Sequence, residues 1–157
     1  GTHTSGGATT PPVLNDTLVS TIAAGSGLTW AGVISGAGGI TKDGAGTLVL
    51  KGANVHNGNT TVSAGTLELQ STGSLRFQIG GNGTNNKVDG AGTANLDGQF
   101  VFNLASASTN NGDTWNIVSN SLSTTYGTNF LVTGFSGAGG NWTNTTNGVD
   151  YIFSQSS

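Results

Sequence analysis

At 157 residues the chain has the length of one domain and enough residues to bury a core. Gly, Thr, Asn and Ser number 28, 24, 17 and 16, while charged residues make up 7% and the net charge is −3. That balance disfavours a helix-rich globule and a basic nucleic-acid surface, the absence of Cys excludes disulfides and thiolate metal sites, and the aromatic content separates the chain from a disordered polar tail. What remains is an all-β chain with long polar turns.

Residues 1–12, "GTHTSGGATTPP", read as an extended polar lead-in, with Pro11 and Pro12 unsuited to a helix or a central strand. The domain proper is expected over 13–157. "VLNDTLVSTIA" forms the first strand region, followed by the short apolar pieces "LTWAGVIS" (28–35) and "GGITKDG" (38–44). Then comes a pattern of Gly-x-apolar-x-apolar: "GTLVL" from 46, "GTLEL" from 65, "GSLRF" from 73 and "GQFVF" from 98. Alternation over four or five residues marks strands with one face buried. It places Leu48, Leu50, Leu67, Leu69, Leu75, Phe77, Phe100 and Phe102 inside, and Gly46 and Gly65 at corners. Near-identical strands between Gly/Asn turns favour rungs stacked in register, a solenoid, over a sandwich. "HNGN" (56–59) is the one Asn-Gly hairpin candidate in this reading.

The stretch "GAGGITKDGAGTLVLKGANVHNGNTTVSAGTLEL" (36–69) closely resembles the autotransporter-associated β-strand repeat, or passenger-associated transport repeat, of bacterial secreted and surface proteins. The glycine-rich opening, Thr-Lys-x-Gly-x-Gly-Thr-Leu, Gly-Ala-Asn, Gly-x-Thr-Thr-Val and the closing Gly-Thr-Leu occur in that order. The departure lies near His56, where the family usually has an aromatic. The resemblance implies a right-handed parallel β-helix, a β-rich C-terminal tail serving as its cap, and an extracellular or cell-surface location. It assigns no catalytic residue.

The chemistry-bearing residues fit that picture. Most of the acids stand beside glycine, as at Asp43-Gly44, Asp89-Gly90, Asp97-Gly98 and Gly112-Asp113, which is what turns select. Glu68 and Arg76 both face outward and are expected to form a surface pair between adjacent rungs, worth under about 1 kcal/mol. His3 and His56 are too few and too far apart to suggest a metal site. "GGNGTNNKVDG" (80–90) is rich in oxygens but lacks the nonapeptide repeat of calcium-binding solenoids. Neither a metal nor a cofactor is expected. Trp30 and Trp115 read as core or capping residues and Trp142 as the surface aromatic. No apolar run approaches about 18 residues, so no membrane insertion is expected. Residue 1 is Gly, which fits either a removed leader or an excised segment.

The function expected first is structural: a building block of a bacterial surface stalk or self-assembling fibre. Its partner would be another copy of itself or neighbouring repeats of a longer surface protein. An adhesin or glycan-binding module is the alternative, and a polysaccharide-acting enzyme the remote one. No enzymatic activity and no nucleic-acid partner are expected.

Overall fold

In the computed structural model, residues 2–5 and 12–155 are described; Gly1, residues 6–11 of the lead-in and 156–157 lie outside them. The strands in chain order are β1 (Thr2–Ser5), β2 (Val13–Leu14), β3 (Leu18–Thr21), β4 (Gly27–Trp30), β5 (Ser35–Gly36), β6 (Ile40–Asp43), β7 (Thr47–Leu50), β8 (Ala53–Asn54), β9 (Thr60–Val62) and β10 (Thr66–Leu69). They continue with β11 (Ser74–Gln78), β12 (Val88–Gly90), β13 (Thr93–Leu96), β14 (Gln99–Asn103), β15 (Ser123–Tyr126), β16 (Leu131–Val132), β17 (Ser136–Ala138), β18 (Asn141–Thr146) and β19 (Val149–Ser154).

Up to β14 every third strand returns to the same wall, and β15 and β16 then follow β13 and β14 two strands on. The first wall runs β1-β4-β7-β10-β13-β15, the second β8-β11-β14-β16 and the third β3-β6-β9-β12. All their pairings are parallel. Consecutive strands lie on different walls, which is the arrangement of a parallel β-helix. On the first wall Gly27, Thr47, Thr66, Thr93 and Ser123 stack in register, so successive turns take 20, 19, 27 and 30 residues. The spacing of 19 between Gly46 and Gly65 is therefore one turn of the helix.

The register gives each side chain a near-copy of itself above and below. Leu28, Leu48, Leu67 and Ala94 form one inward column, and Trp30, Leu50, Leu69, Leu96 and Tyr126 the next. On the second wall Leu75 stacks on Phe100, and Phe77 on Phe102. Leu48, Leu50, Leu67, Leu69, Leu75, Phe77 and Phe100 are buried, and Phe102 is half-buried against the same core. Period-2 alternation produces this because successive side chains of a strand point to opposite faces.

The corners admit no side chain. Gly65 has φ +69°, and a Cβ there would sit 2.4 Å from Gly46 O. A Cβ on Gly46 would sit 2.4 Å from Ala23 O in the turn beneath. Backbone thus packs on backbone at successive corners, and the Gly-Thr-Leu motif records that contact.

The two ends of the solenoid differ. At the C-terminal end β17, β18 and β19 form an antiparallel sheet. A column of rings climbs from the core into it: Phe77–Phe100 at 4.8 Å, Phe100–Phe130 at 4.9 Å, Phe130–Trp142 at 5.4 Å and Trp142–Phe153 at 5.6 Å. Trp142 is therefore buried, contrary to its reading as the surface aromatic. Its place opposite Phe153 in the β18–β19 ladder turns it onto Phe130. The hairpin also differs from expectation. Asn57 and Gly58 lie in a corner between β8 and β9, whereas the two-residue turn forms at Asn147-Gly148, with φ +53° and +77°. Positive φ at both positions is what a tight hairpin turn requires.

At the N-terminal end β1, β2 and β3 are outermost in their sheets among the described residues. Thr2–Ser5, part of the expected lead-in, pairs with β4 in the first wall. Val13 and Val19, on β2 and β3, are 64% and 60% exposed.

Candidate functional site

Four polar side chains, those of Lys42, Asn54, His56 and Thr60, lie inside the solenoid where the columns would otherwise be apolar. Lys42, Asn54 and His56 are each 2% exposed or less. Lys42 occupies the inward position of β6 level with Val62 on β9. Its Nζ donates to Asp43 O at 2.7 Å, Gly44 O at 2.6 Å and Ala64 O at 3.1 Å, tying the corner of one turn to the next. Burial pushes its pKa below the ordinary lysine value, with the Asp43 carboxylate opposing that shift.

Asn54 stacks beneath Leu75. Its Oδ1 accepts from Ile34 N at 3.0 Å, and its Nδ2 donates to Gly52 O at 2.9 Å and Ser74 O at 3.3 Å. One amide thus fastens three successive turns. His56 Nε2 lies 3.0 Å from Thr60 Oγ1, while Nδ1 is buried with no partner. Burial, and then the nearby Arg76 charge, push its pKa down from 6.5 to about 4. Composition and alternation missed Lys42, Asn54 and His56. The signal was available in "ITKDGAG" and "KGANVH": a polar residue at the parity of the buried ones needs an internal partner.

The carboxylates tie turns together. Asp89 accepts from Thr61 Oγ1 at 2.6 Å and Asn59 Nδ2 at 3.2 Å, and pairs with Lys87 at 3.7 Å. Asp97 accepts from Asn129 N and Nδ2, both at 2.9 Å; these bonds, the side-chain one first, hold its pKa below the usual aspartate value. The expected Glu68–Arg76 pair does not form. Glu68 stands on the first wall between Val49 and Asn95 and accepts from Gln70 Nε2. Arg76 stands on the second wall, where it donates to Val55 O at 2.8 Å and Asn57 Oδ1 at 3.3 Å. Adjacent strands in sequence face different directions in a β-helix, which is why both can point outward without meeting. No group of three or more His, Asp or Glu side chains converges among the described residues.

The geometry is that of a stacked scaffold, and one comparison identifies its central turns. The family described as the passenger-associated-transport-repeat matches residues 40–69, from β6 through β10. The matched segment therefore covers more than one full circuit of the three walls and carries Lys42, Asn54 and His56 within it. Among curated proteins, the chain is 42% identical over 64 residues to an extracellular serine protease of Serratia marcescens, which is 41% of this chain and 6% of that protein. It is 42% identical over 57 residues to the adhesin BmaC autotransporter of Brucella suis biovar 1 (strain 1330), which is 36% of this chain and 2% of that protein. The matches span a small fraction of those relatives' length. No solved structure matches the chain.

Proposed function

We propose that the chain is a structural β-solenoid module of a bacterial stalk or self-assembling fibre, extended by pairing at its N-terminal rung. It is an extracellular or cell-surface chain, in keeping with its transport repeat and with relatives that are a secreted protease and an adhesin. The observation that carries the reading is the in-register parallel ladder whose N-terminal edges, β1, β2 and β3, have no outer neighbour among the described residues. An unpaired edge is a template for a further strand, from another copy or from neighbouring repeats.

The N-terminal edge offers backbone groups for pairing, and Val13 and Val19 are exposed on it. Leu18 N donates to Gly39 O and Ile22 N to Asp43 O, so the even-numbered residues bond inward to β6. In a parallel ladder the intervening Val19 then directs its amide to the outer edge. If copies met N-end to N-end they would close as dimers. A fibre needs the N-terminal edge of one copy to meet the outer edges of β15 and β16 on another.

Sedimentation velocity over a concentration series tests the reading. The expected result is concentration-dependent growth beyond a dimer, suppressed in Val19→Pro, which removes an outward amide while sparing the bonds to β6. A strictly monomeric chain, or growth indifferent to Val19→Pro, would contradict assembly through this edge. The matched protease lends no catalytic role to the proposal, since the carboxylates described above serve turns. Recognition of a surface ligand is a second reading, favoured by a cavity at the opposite end.

A further inference from the structure

A cavity of about 800 Å³ lies between the long segment that follows β14 and the last strand, β19. Ile79, Leu104, Ile117 and Phe135 give it an apolar lining. Trp115 and Tyr151 also line it, their rings tilted at 40° with centroids 6.3 Å apart. The polar atoms of both rings are already engaged: Trp115 Nε1 donates to Gly81 O at 2.8 Å, and the Tyr151 hydroxyl donates to Ser108 O at 3.3 Å. Those bonds fix the rings and leave ring surface as what they offer a ligand.

The polar lining behaves differently from the solenoid body. The side chains of Asn110, Asn111, Asp113 and Asn116 have no hydrogen-bond partner among the described residues. Beside them, Asn82, Asn85, Asn86 and Asn103 are all bonded within the fold. The lining has no Lys or Arg and includes Asp113 and Asp150, so it disfavours anions. A purely apolar ligand would leave the amides and the Asp113 carboxylate without a role. Ring faces flanked by uncommitted amides and a carboxylate suit a molecule with an apolar C–H face and an edge of hydroxyls.

We propose that this cavity binds an uncharged oligosaccharide, with pyranose faces packed on Trp115 and Tyr151 and hydroxyls bonded to Asp113, Asn110, Asn111 and Asn116. A cavity of this size accommodates about two or three pyranose rings. The inference does not depend on assembly, because a strictly monomeric chain would retain the cavity.

Titration calorimetry of the full chain with cellotriose, chitotriose and mannotriose tests it. At least one is expected to bind with a Kd of about 1 mM or tighter. Trp115→Ala is expected to weaken that binding about tenfold. Asp113→Ala, at a side chain without a partner in the fold, should also weaken it while leaving thermal unfolding unchanged. Lys51→Met, at an exposed position outside the lining, should bind as the parent does. Absence of binding by all three sugars, or binding unchanged in Asp113→Ala and in a folded Trp115→Ala, would overturn the proposal.

Discussion

Replacing Lys42 by Met is expected to destabilise the fold by about 3 kcal/mol, because carbonyls inside the stack lose their donor. The stem of Lys42 fills a core position, and Met preserves most of that volume, so packing is a minor part of the loss. Asp43 O also accepts the amide of Ile22, which limits the damage there. Gly44 O and Ala64 O depend more heavily on the ammonium. Removing a buried charge relieves a desolvation cost that opposes this loss. Desolvation outweighs the Asp43 attraction at this ammonium, so part of the loss is returned, but three carbonyls deprived of a donor keep the sign destabilising. Lys51→Met, at an exposed position on the same turn, should change stability by less than about 0.5 kcal/mol. Urea unfolding of the two variants against the parent measures the difference. Equal midpoints for Lys42→Met and Lys51→Met would contradict the role given to Lys42.

The second large effect is a pH dependence centred on His56. Its folded pKa is lowered to about 4 from 6.5, so between those values the unfolded chain binds a proton that the folded chain refuses. Where the unfolded state holds more protons, stability rises with pH. The contribution of neutral His56 is thus fully present above about pH 6.5 and is lost as pH falls toward 4, by about 3 kcal/mol in all. His56→Phe should remove this slope, because it fills a similar volume and deletes the unpartnered Nδ1. Thr60 Oγ1 loses its partner in that variant, which sets back part of the gain at neutral pH. The measurement is the difference in unfolding free energy between parent and variant across pH 4–7, which isolates His56 from the carboxylates. A difference that does not change with pH would contradict the burial of a neutral imidazole.

The walls of the solenoid were legible because they rest on local chemistry. Leu48, Leu50, Leu67 and Leu69 alternate at period 2, and glycine recurs where one corner packs on the next. Neither signal needs long-range information. What the sequence concealed depends on which strands share a wall. Glu68 and Arg76 both point outward, yet a corner separates their directions, and no periodicity encodes that angle. Lys42, Asn54 and His56 look like turn or surface residues by type and are internal by parity; only their backbone partners on neighbouring turns explain them. Trp142 looked exposed in a polar stretch, but the hairpin at Asn147-Gly148 brings Phe153 beside it and closes the aromatic column over the core. The cavity lined by Trp115 and Tyr151 was illegible for a similar reason. Trp115 and Tyr151 are 36 residues apart in sequence and meet only because the last strand folds back.

The stack is asymmetric: its N-terminal rung has no strand outside it among the described residues, whereas at the C-terminal end an aromatic column covers the core beside the outer edges of β15 and β16. Amide hydrogen exchange at concentrations where the chain sediments as a monomer, resolved strand by strand, tests this most directly. In a solenoid each turn is stabilised by its neighbours, so an end with a neighbour on one side opens first. The predicted result is fast exchange in β2 and β3, strong protection across β7, β10 and β13, and protection that persists into β18 and β19. Exchange that begins in β18 and β19 while β3 remains protected would contradict it.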